Sequence, residues 1–329
     1  MYISNVKIFL TFDYELFFGK KSGTVDKCMI QPTNDLLNLS KGRDVFYTFF
    51  VDVGYLIQAE KYNELTEELN SVKNQLKEVI QSGHDIQLHV HPHWEKTIFI
   101  DGEWEMDTQG NYKISDFNEN ERQEIIHTYK TYLEKLIDRK VTSFRAGGWC
   151  IQPFDLLKDI FLKEEIKVDS SVFAGGWLVT DDYAVDFRQS PLKSKYNFED
   201  NVCDEDENGS FTELPISSLR YSPLFFWALY LLGRLSPSQH KMIGDGIFLS
   251  QGGRKKRVLT TFTDYHVSSD GYYSKKLEAG LDKAINLNHE ELVVIGHPKG
   301  NTLYSLNRLN AFIEHNHKKH QFTTFDKEF

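Results

Sequence analysis

Cysteine is scarce. Three residues in 329, Cys28, Cys150 and Cys203, are too few and too scattered for a disulfide framework or a thiolate metal site. That scarcity fits a reduced, cytoplasmic protein. Cations are in deficit too: 38 Lys and Arg against 48 Asp and Glu give a formal charge of −10, which argues against a broad electrostatic footprint on nucleic acid. No nucleic-acid partner is expected. The opening segment, MYISNVKIFLTFDYE, lacks the basic start, apolar stretch and small-residue cleavage site of an export signal, and runs directly into a strand-like segment. The nearly all-apolar stretch SPLFFWALYLLGRL, residues 222 to 235, is too short to span a bilayer as a helix. A buried core helix is its preferred reading. Because the densest basic cluster, GGRKKR at 252 to 257, follows it, weak contact with a membrane surface is the second.

What the chain does have is a steady alternation of strand-like and helix-like segments. VKIFLTFDYE, DVFYTFFVDVGYL and DIQLHVH are rich in β-branched and aromatic residues and read as strands. Between the second and third, Leu65, Leu69, Val72, Leu76 and Val79 recur at three- and four-residue steps and Gly83 stops them, which predicts an amphipathic helix. A second helix is predicted in NENERQEIIHTYKTYLEKLIDRK, then strand-like VTSFRAG, helix-like QPFDLLKDIFLKEE and strand-like IKVDSSV. RVLTTFTDYHV and ELVVIGHP follow as later strands. Such a rotation implies a parallel sheet with crossover helices, open or closed into a barrel. With no repeat or linker in view, residues 1–329 read as one α/β domain, with an elaborated insertion near 174–255.

Ligands in such folds bind where loops leave the carboxyl ends of the strands. Asp13 and Glu15, Asp52, the histidines of GHDIQLHVHPHW, Arg145, Asp169, Asp264 with His266, and His297 all close predicted strands. One such residue would be a satisfied structural group; recurrence at strand after strand points to a site. Alternate side chains of an extended strand share a face, but Pro92 is expected to end the strand near His91, so that His89 and His93 approach one ion from strand end and loop. Neutral imidazoles suit zinc and similar divalent ions, and a catalytic ion keeps about three protein ligands. Asp13 and Glu15 offer two carboxylates at one mouth, one to bind the ion and the other to accept a proton from water. His297 is a candidate general acid. His84 reads as a surface or turn residue ahead of the strand, His91 as a core or pocket-wall histidine, and HNHKKH at 315 to 320 as a solvated helix end. Trp94, Trp149 and Trp177 are candidates to stack on a sugar ring.

Taken in order, LTFDYE, TFFVD, GHDIQLHVHPHW, FRAGGW, VDSSV and VIGHP resemble the motifs of the polysaccharide deacetylase family, the NodB-homology carbohydrate esterases. The resemblance implies a distorted (β/α) barrel of about seven parallel strands and a hydrolase that removes an acetyl group from an N-acetylated sugar. It implies a divalent metal ion, zinc by preference, held by His89, His93 and one acid. On a spacing found in some members, Asp13 is the base and Glu15 the ligand; the reverse stays open. By the same resemblance Arg145 clamps the catalytic carboxylate, Asp169 orients His297, and Gly148 and Trp149 join Trp94 on the substrate side. The sequence departs from the family where Tyr14 separates the two acids, where Val90 replaces a small hydroxyl residue, and where Gly147 replaces proline. The expected substrate is a surface polysaccharide such as lipopolysaccharide or, better, its cytoplasmic precursor on a nucleotide or lipid. A hydrolase of small carbon–nitrogen compounds and a catalytically silent carbohydrate binder are the alternatives.

Overall fold

The computed structural model describes residues 5–180, 182–249 and 254–329. Eleven strands carry the argument: β1 (Lys7–Tyr14), β2 (Tyr47–Asp52), β3 (Asp85–Val90), β4 (Ser143–Ala146), β5 (Val168–Asp169), β6 (Tyr196–Phe198), β7 (Phe211–Glu213), β8 (Ser218–Tyr221), β9 (Thr263–His266), β10 (Glu291–Gly296) and β11 (Gln321–Phe322). The helices that matter are α1 (Gln31–Ser40), α2 (Val53–Ala59), α3 (Thr66–Gln81), α4 (Glu119–Ile137), α5 (Lys158–Lys163), α6 (Pro223–Leu235), α7 (Arg254–Thr260), α8 (Leu277–Asn286) and α9 (Leu303–Asn316).

The main sheet runs β6-β7-β5-β4-β3-β2-β1-β10, with β11 also paired to β1. Only the β6–β7 pairing is antiparallel, so seven strands of that path, β7 through β10, run parallel, as the barrel expectation requires. The sheet curls into a mostly parallel half-barrel. Between its ends, Ser217 N–H donates to the Val293 carbonyl, and Val267 N–H donates to the Ser217 carbonyl, so loop segments link the two edges. Nearly all of β1, β2, β3 and β10 is buried, the near-continuous apolar pattern of strands covered on both faces.

On α3, Leu69, Val72, Leu76 and Val79 face inward, the stripe that its spacing predicts. The second predicted helix, α4, starts on a reciprocal cap: Asn118 Oδ1 accepts from Glu121 N–H at 3.1 Å, and Glu121 Oε2 accepts from Asn118 N–H at 2.9 Å.

Three expectations need correction. The region near 174–255 is not wholly an insertion, since β6 and β7 belong to the main sheet. RVLTTFTDYHV is not one strand: its first part lies in α7, and β9 pairs antiparallel with β8 outside the main sheet. A short apolar run has no decisive period, and packing of α7 on α6 settles the matter as helix. Nor is α6 a core helix, because only Phe225 and Phe226 of it are buried while Leu224, Trp227, Leu231 and Leu235 are exposed. Among the described residues no helix is long and apolar enough to cross a membrane.

Candidate active site

The site forms where β1 to β4 and β10 end. Register sets Asp52 of β2 beside His89 of β3, and His89 beside Arg145 of β4, so these three side chains share one face at one level. On β1, Asp13 lies beside Phe50, two residues before Asp52, which brings Asp13 and the following Glu15 to the same face.

Arg145 is fully buried and organises one half of the site. Its Nη1 donates to Asp13 Oδ1 at 2.7 Å and to Thr11 Oγ1 at 3.0 Å; its Nε and Nη2 donate to the carbonyl and hydroxyl of Ser170 at 2.8 and 3.0 Å. The guanidinium also lies 4.0 Å from the centre of the Phe50 ring. Every edge of the fork is used, so Asp13 Oδ1 is fixed while Oδ2 stays open. Asp13 Oδ2 faces His89 Nε2 at 3.9 Å and His297 Nε2 at 3.6 Å.

The other half is built on Glu15. Its Oε2 lies 3.0 Å from His89 Nε2 and 2.8 Å from His91 Nε2, and its Oε1 accepts from Lys299 Nζ at 2.9 Å. Glu15, His89 and His91 each offer one donor atom within 4.8 Å of the others, and all three are buried. His89 Nδ1–H donates to the Arg145 carbonyl at 2.8 Å, which leaves Nε2 as the free donor atom on that ring. Two imidazole nitrogens and one carboxylate oxygen, converging in this way, fit a divalent ion of the zinc type.

His93 lies outside this group, contrary to expectation. The backbone stays extended through His91 (φ −109°, ψ 97°) and only then turns at Pro92 into a short 3₁₀ segment. Alternation therefore gives His91 the face of His89, and the turn sets the His93 ring beside that of His91, 5.3 Å between centres. The His93 ring is fully buried, stacked on Tyr112 at 5.8 Å and on Trp94 at 5.6 Å, and neither nitrogen has a hydrogen-bond partner. Gly147 explains how His91 reaches its place: a Cβ there would lie 2.5 Å from His91 Nδ1. The glycine that departs from the family pattern makes room for the histidine that the sequence reading set aside.

His297 also has a different partner. Its Nδ1 meets Asp270 Oδ2 at 2.7 Å, and its backbone N–H donates to Asp270 Oδ1 at 2.7 Å. Asp169 instead accepts from the hydroxyl and N–H of Ser171 at 2.7 and 3.0 Å. The loop after β9, not β5, orients the imidazole. Trp94 is fully buried and donates from Nε1 to Asp52 at 2.6 Å, so it is a wall beneath the site and cannot stack on a ligand. Trp149, at φ 63° and 9 % exposed, lies 5.2 Å from the His266 ring, and Gly148, at φ 58°, packs against Tyr112. Trp177 is exposed, with Arg188 and Arg257 over its ring. His84 is buried, not a surface turn: its Nδ1 accepts from Tyr47 N–H at 3.0 Å. In HNHKKH, His315 is exposed as expected, but His320 is buried and accepts from Val6 N–H.

The electrostatics follow from burial and pairing. Burial alone would raise Glu15, but Lys299, His91 and His89 outweigh it and hold the carboxyl well below its ordinary range. Burial would lower His89; Asp13, Glu15 and Asp52 raise it to about 9. His91 is lowered to about 4, and His93 well below the usual histidine value, both chiefly by burial. Burial also lifts Asp52 to about 7. For His297 the loss of solvent is outweighed by Asp270, Asp13 and Glu15, and the imidazolium is favoured. Asp52, one of the predicted strand-end residues, joins the site, and Lys299 and Asp270 complete it without having been singled out in the sequence. Lys299 carried a signal, sitting two residues after His297 in VVIGHPKG; Asp270 carried none.

No family model and no curated protein matches the chain by sequence. Solved structures do match in fold. A structure from Mycobacterium smegmatis described as a candidate polysaccharide deacetylase aligns over 96 % of this chain and 85 % of its own, at 16 % identity and a TM-score of 0.51. The structure of Puue allantoinase aligns over 99 % of this chain and 89 % of its own, at 12 % identity and a TM-score of 0.52. The chain has the curled (β/α) half-barrel fold of the NodB-like deacetylases, shared with allantoinase.

Proposed function

We propose that this chain, taken as one catalytic domain, is a metal-dependent hydrolase that removes an acetyl group from an N-acetylated sugar. The observation that carries the reading is Asp13, with one oxygen locked by Arg145 and the other turned toward His89 and His297, beside the Glu15–His89–His91 donor group. Glu15, His89 and His91 would hold the ion, which when bound would polarise the acyl carbonyl and lower the pKa of water. Asp13 Oδ2 would take the proton from the attacking water. Its other oxygen is held by Arg145 Nη1 at 2.7 Å, which fixes the direction of Oδ2. His297, held in orientation by Asp270 and favoured as imidazolium, would give its Nε2 proton to the leaving amine.

The proposed substrate is a surface polysaccharide such as lipopolysaccharide or its cytoplasmic precursor, nucleotide- or lipid-linked, and the proposed ion is zinc. Trp149 and Gly148 are the candidate sugar contacts that remain. The equal fold likeness to an allantoinase favours a second reading, a hydrolase of small cyclic amides. Assaying acetylated amino sugars against small cyclic amides separates the two. Asp13→Asn should retain zinc, measured by metal analysis, while turnover falls at least a hundredfold, the usual worth of a general base. Full turnover in that variant would remove Asp13 from the role.

A further inference from the structure

Helix α6 is apolar on nearly every side, and one apolar stripe of it faces outward. Leu224, Trp227, Leu231 and Leu235 are 78, 50, 48 and 78 % exposed. At 100° per residue they fall within an arc of about 80°, along a helix about 20 Å long. The opposite side is anchored: Phe225 and Phe226 pack on Tyr221 and Tyr273, and Tyr273 on Tyr265, whose ring centre is 6.4 Å from that of Trp149. The stripe is thus a built surface, joined to Trp149 through a succession of packed aromatic rings. Trp227 keeps its ring outward while its indole N–H donates to the Leu259 carbonyl at 3.2 Å, tying α6 to the end of α7.

Charge around the stripe opposes that of the whole protein. Residues 218 to 262 carry seven Lys and Arg and a single acid, Asp245, in a chain of formal charge −10. Lys255 and Lys256 are exposed on α7, and Lys255 Nζ lies 5.0 Å from the Tyr230 ring centre on α6. Arg234 is exposed on α6 itself, and Arg220 lies 5.7 Å from the ring centre of Phe262, which is 62 % exposed.

We propose that the α6 face docks on an anionic lipid bilayer surface, with the leucines and Trp227 at the headgroup boundary and the flanking lysines and arginines on lipid phosphates. A leucine and tryptophan stripe rimmed by cations, too short to span, is the pattern of a helix lying in the interfacial plane. A second copy of the chain fits less well. A two-fold contact would set this cationic surface against its own image. The inference goes beyond the hydrolase reading and stands whether or not that reading holds.

The test is co-sedimentation of the full chain with vesicles of phosphatidylcholine alone or with one third phosphatidylglycerol, at low and at high salt. Binding is expected only with phosphatidylglycerol and is expected to fall with salt. Lys255→Glu with Lys256→Glu should weaken it by about fivefold or more per cation removed. Leu224→Ser with Leu231→Ser and Leu235→Ser should abolish it at an unchanged melting temperature, since these side chains are already largely in solvent. No binding to anionic vesicles, equal binding to both compositions, or binding that survives the serine variant would overturn the proposal. So would concentration-dependent dimerisation that the serine variant abolishes, in a protein that ignores vesicles.

Discussion

Replacing His91 and His93 in turn by phenylalanine separates a member of the donor group from a histidine only two residues further along. His91 Nε2 lies 2.8 Å from Glu15 Oε2 within the converging donor group, so His91→Phe deletes one of three donors. Changes in outer contacts of a metal site cost about 10 to 100-fold in affinity, and loss of a direct donor should cost at least about a hundredfold, or about 2.7 kcal/mol. His93→Phe keeps the ring between Tyr112 and Trp94 and removes two buried nitrogens that have no partner. Affinity should then change less than about fivefold. Stability should rise by about 1 kcal/mol, because unsatisfied buried polar atoms are costly. Calorimetric titration of zinc into chelator-stripped protein reads the first quantity, and urea unfolding the second. If His93→Phe loses zinc as severely as His91→Phe, the turn at Pro92 delivers His93 into the site and the extended backbone through His91 is not the deciding feature.

Two further predictions concern groups beneath the site. Trp94→Phe removes the donor to a fully buried Asp52 carboxyl whose Oδ1 already lacks a partner, and should cost about 1–3 kcal/mol in urea unfolding; an unchanged midpoint would refute the contact's importance. His84 is buried neutral, its Nδ1 accepting from Tyr47 N–H, and burial lowers its pKa from 6.5 to about 4. The unfolded chain therefore binds the proton first as pH falls. The stability from the neutral ring is complete above about pH 6.5 and is lost progressively down to about 4, a span worth about 3 kcal/mol. His84→Gln should flatten that part of the stability–pH curve, and an identical slope in wild type and variant would exclude His84 as its source.

Much of the site is legible in the sequence because strand geometry is simple. Period-two alternation carries Asp13 and Glu15 to one face, and the rule that ligands meet the carboxyl ends of parallel strands gathers His89, Arg145 and His297 with them. What stays hidden depends on where regular geometry stops. Whether His91 or His93 joins His89 depends on the residue at which the extended backbone ends, and proline marks that point only to within a residue or so. Asp270 reaches His297 through the course of the loop after β9, which no local pattern encodes. The apolar character of α6 is plain in the sequence, but a helix apolar on nearly every side gives no period that tells which face meets solvent. In this helix Phe225 and Phe226 point inward and Leu224, Leu231 and Leu235 outward. Composition suggested a core helix because nearly every residue is apolar, and only tertiary packing separates the two faces.

The arrangement of fixed charges argues for the kind of chemistry the site favours. Asp13 is met by Arg145 and Glu15 by Lys299, each pair buried and each within 2.9 Å. Buried pairs of this sort are poor sources of stability, since removing the ions from water offsets most of their attraction. Their consequence here is positional and electrostatic. Each carboxylate keeps one oxygen tied and presents the other, so that Glu15 Oε2 faces the two imidazoles while Asp13 Oδ2 faces His89 and His297. With both carboxylates already neutralised, a divalent ion held by Glu15, His89 and His91 would leave the site with an excess of positive charge. Displacement of the proton that His89 favours would relieve only part of it. Asp52, lifted to about 7 by burial, is a weak reserve of negative charge at neutral pH. Such a site disfavours cationic substrates and is complementary to an uncharged group that becomes negative on the way to its transition state. A carbonyl oxygen under attack by water is such a group.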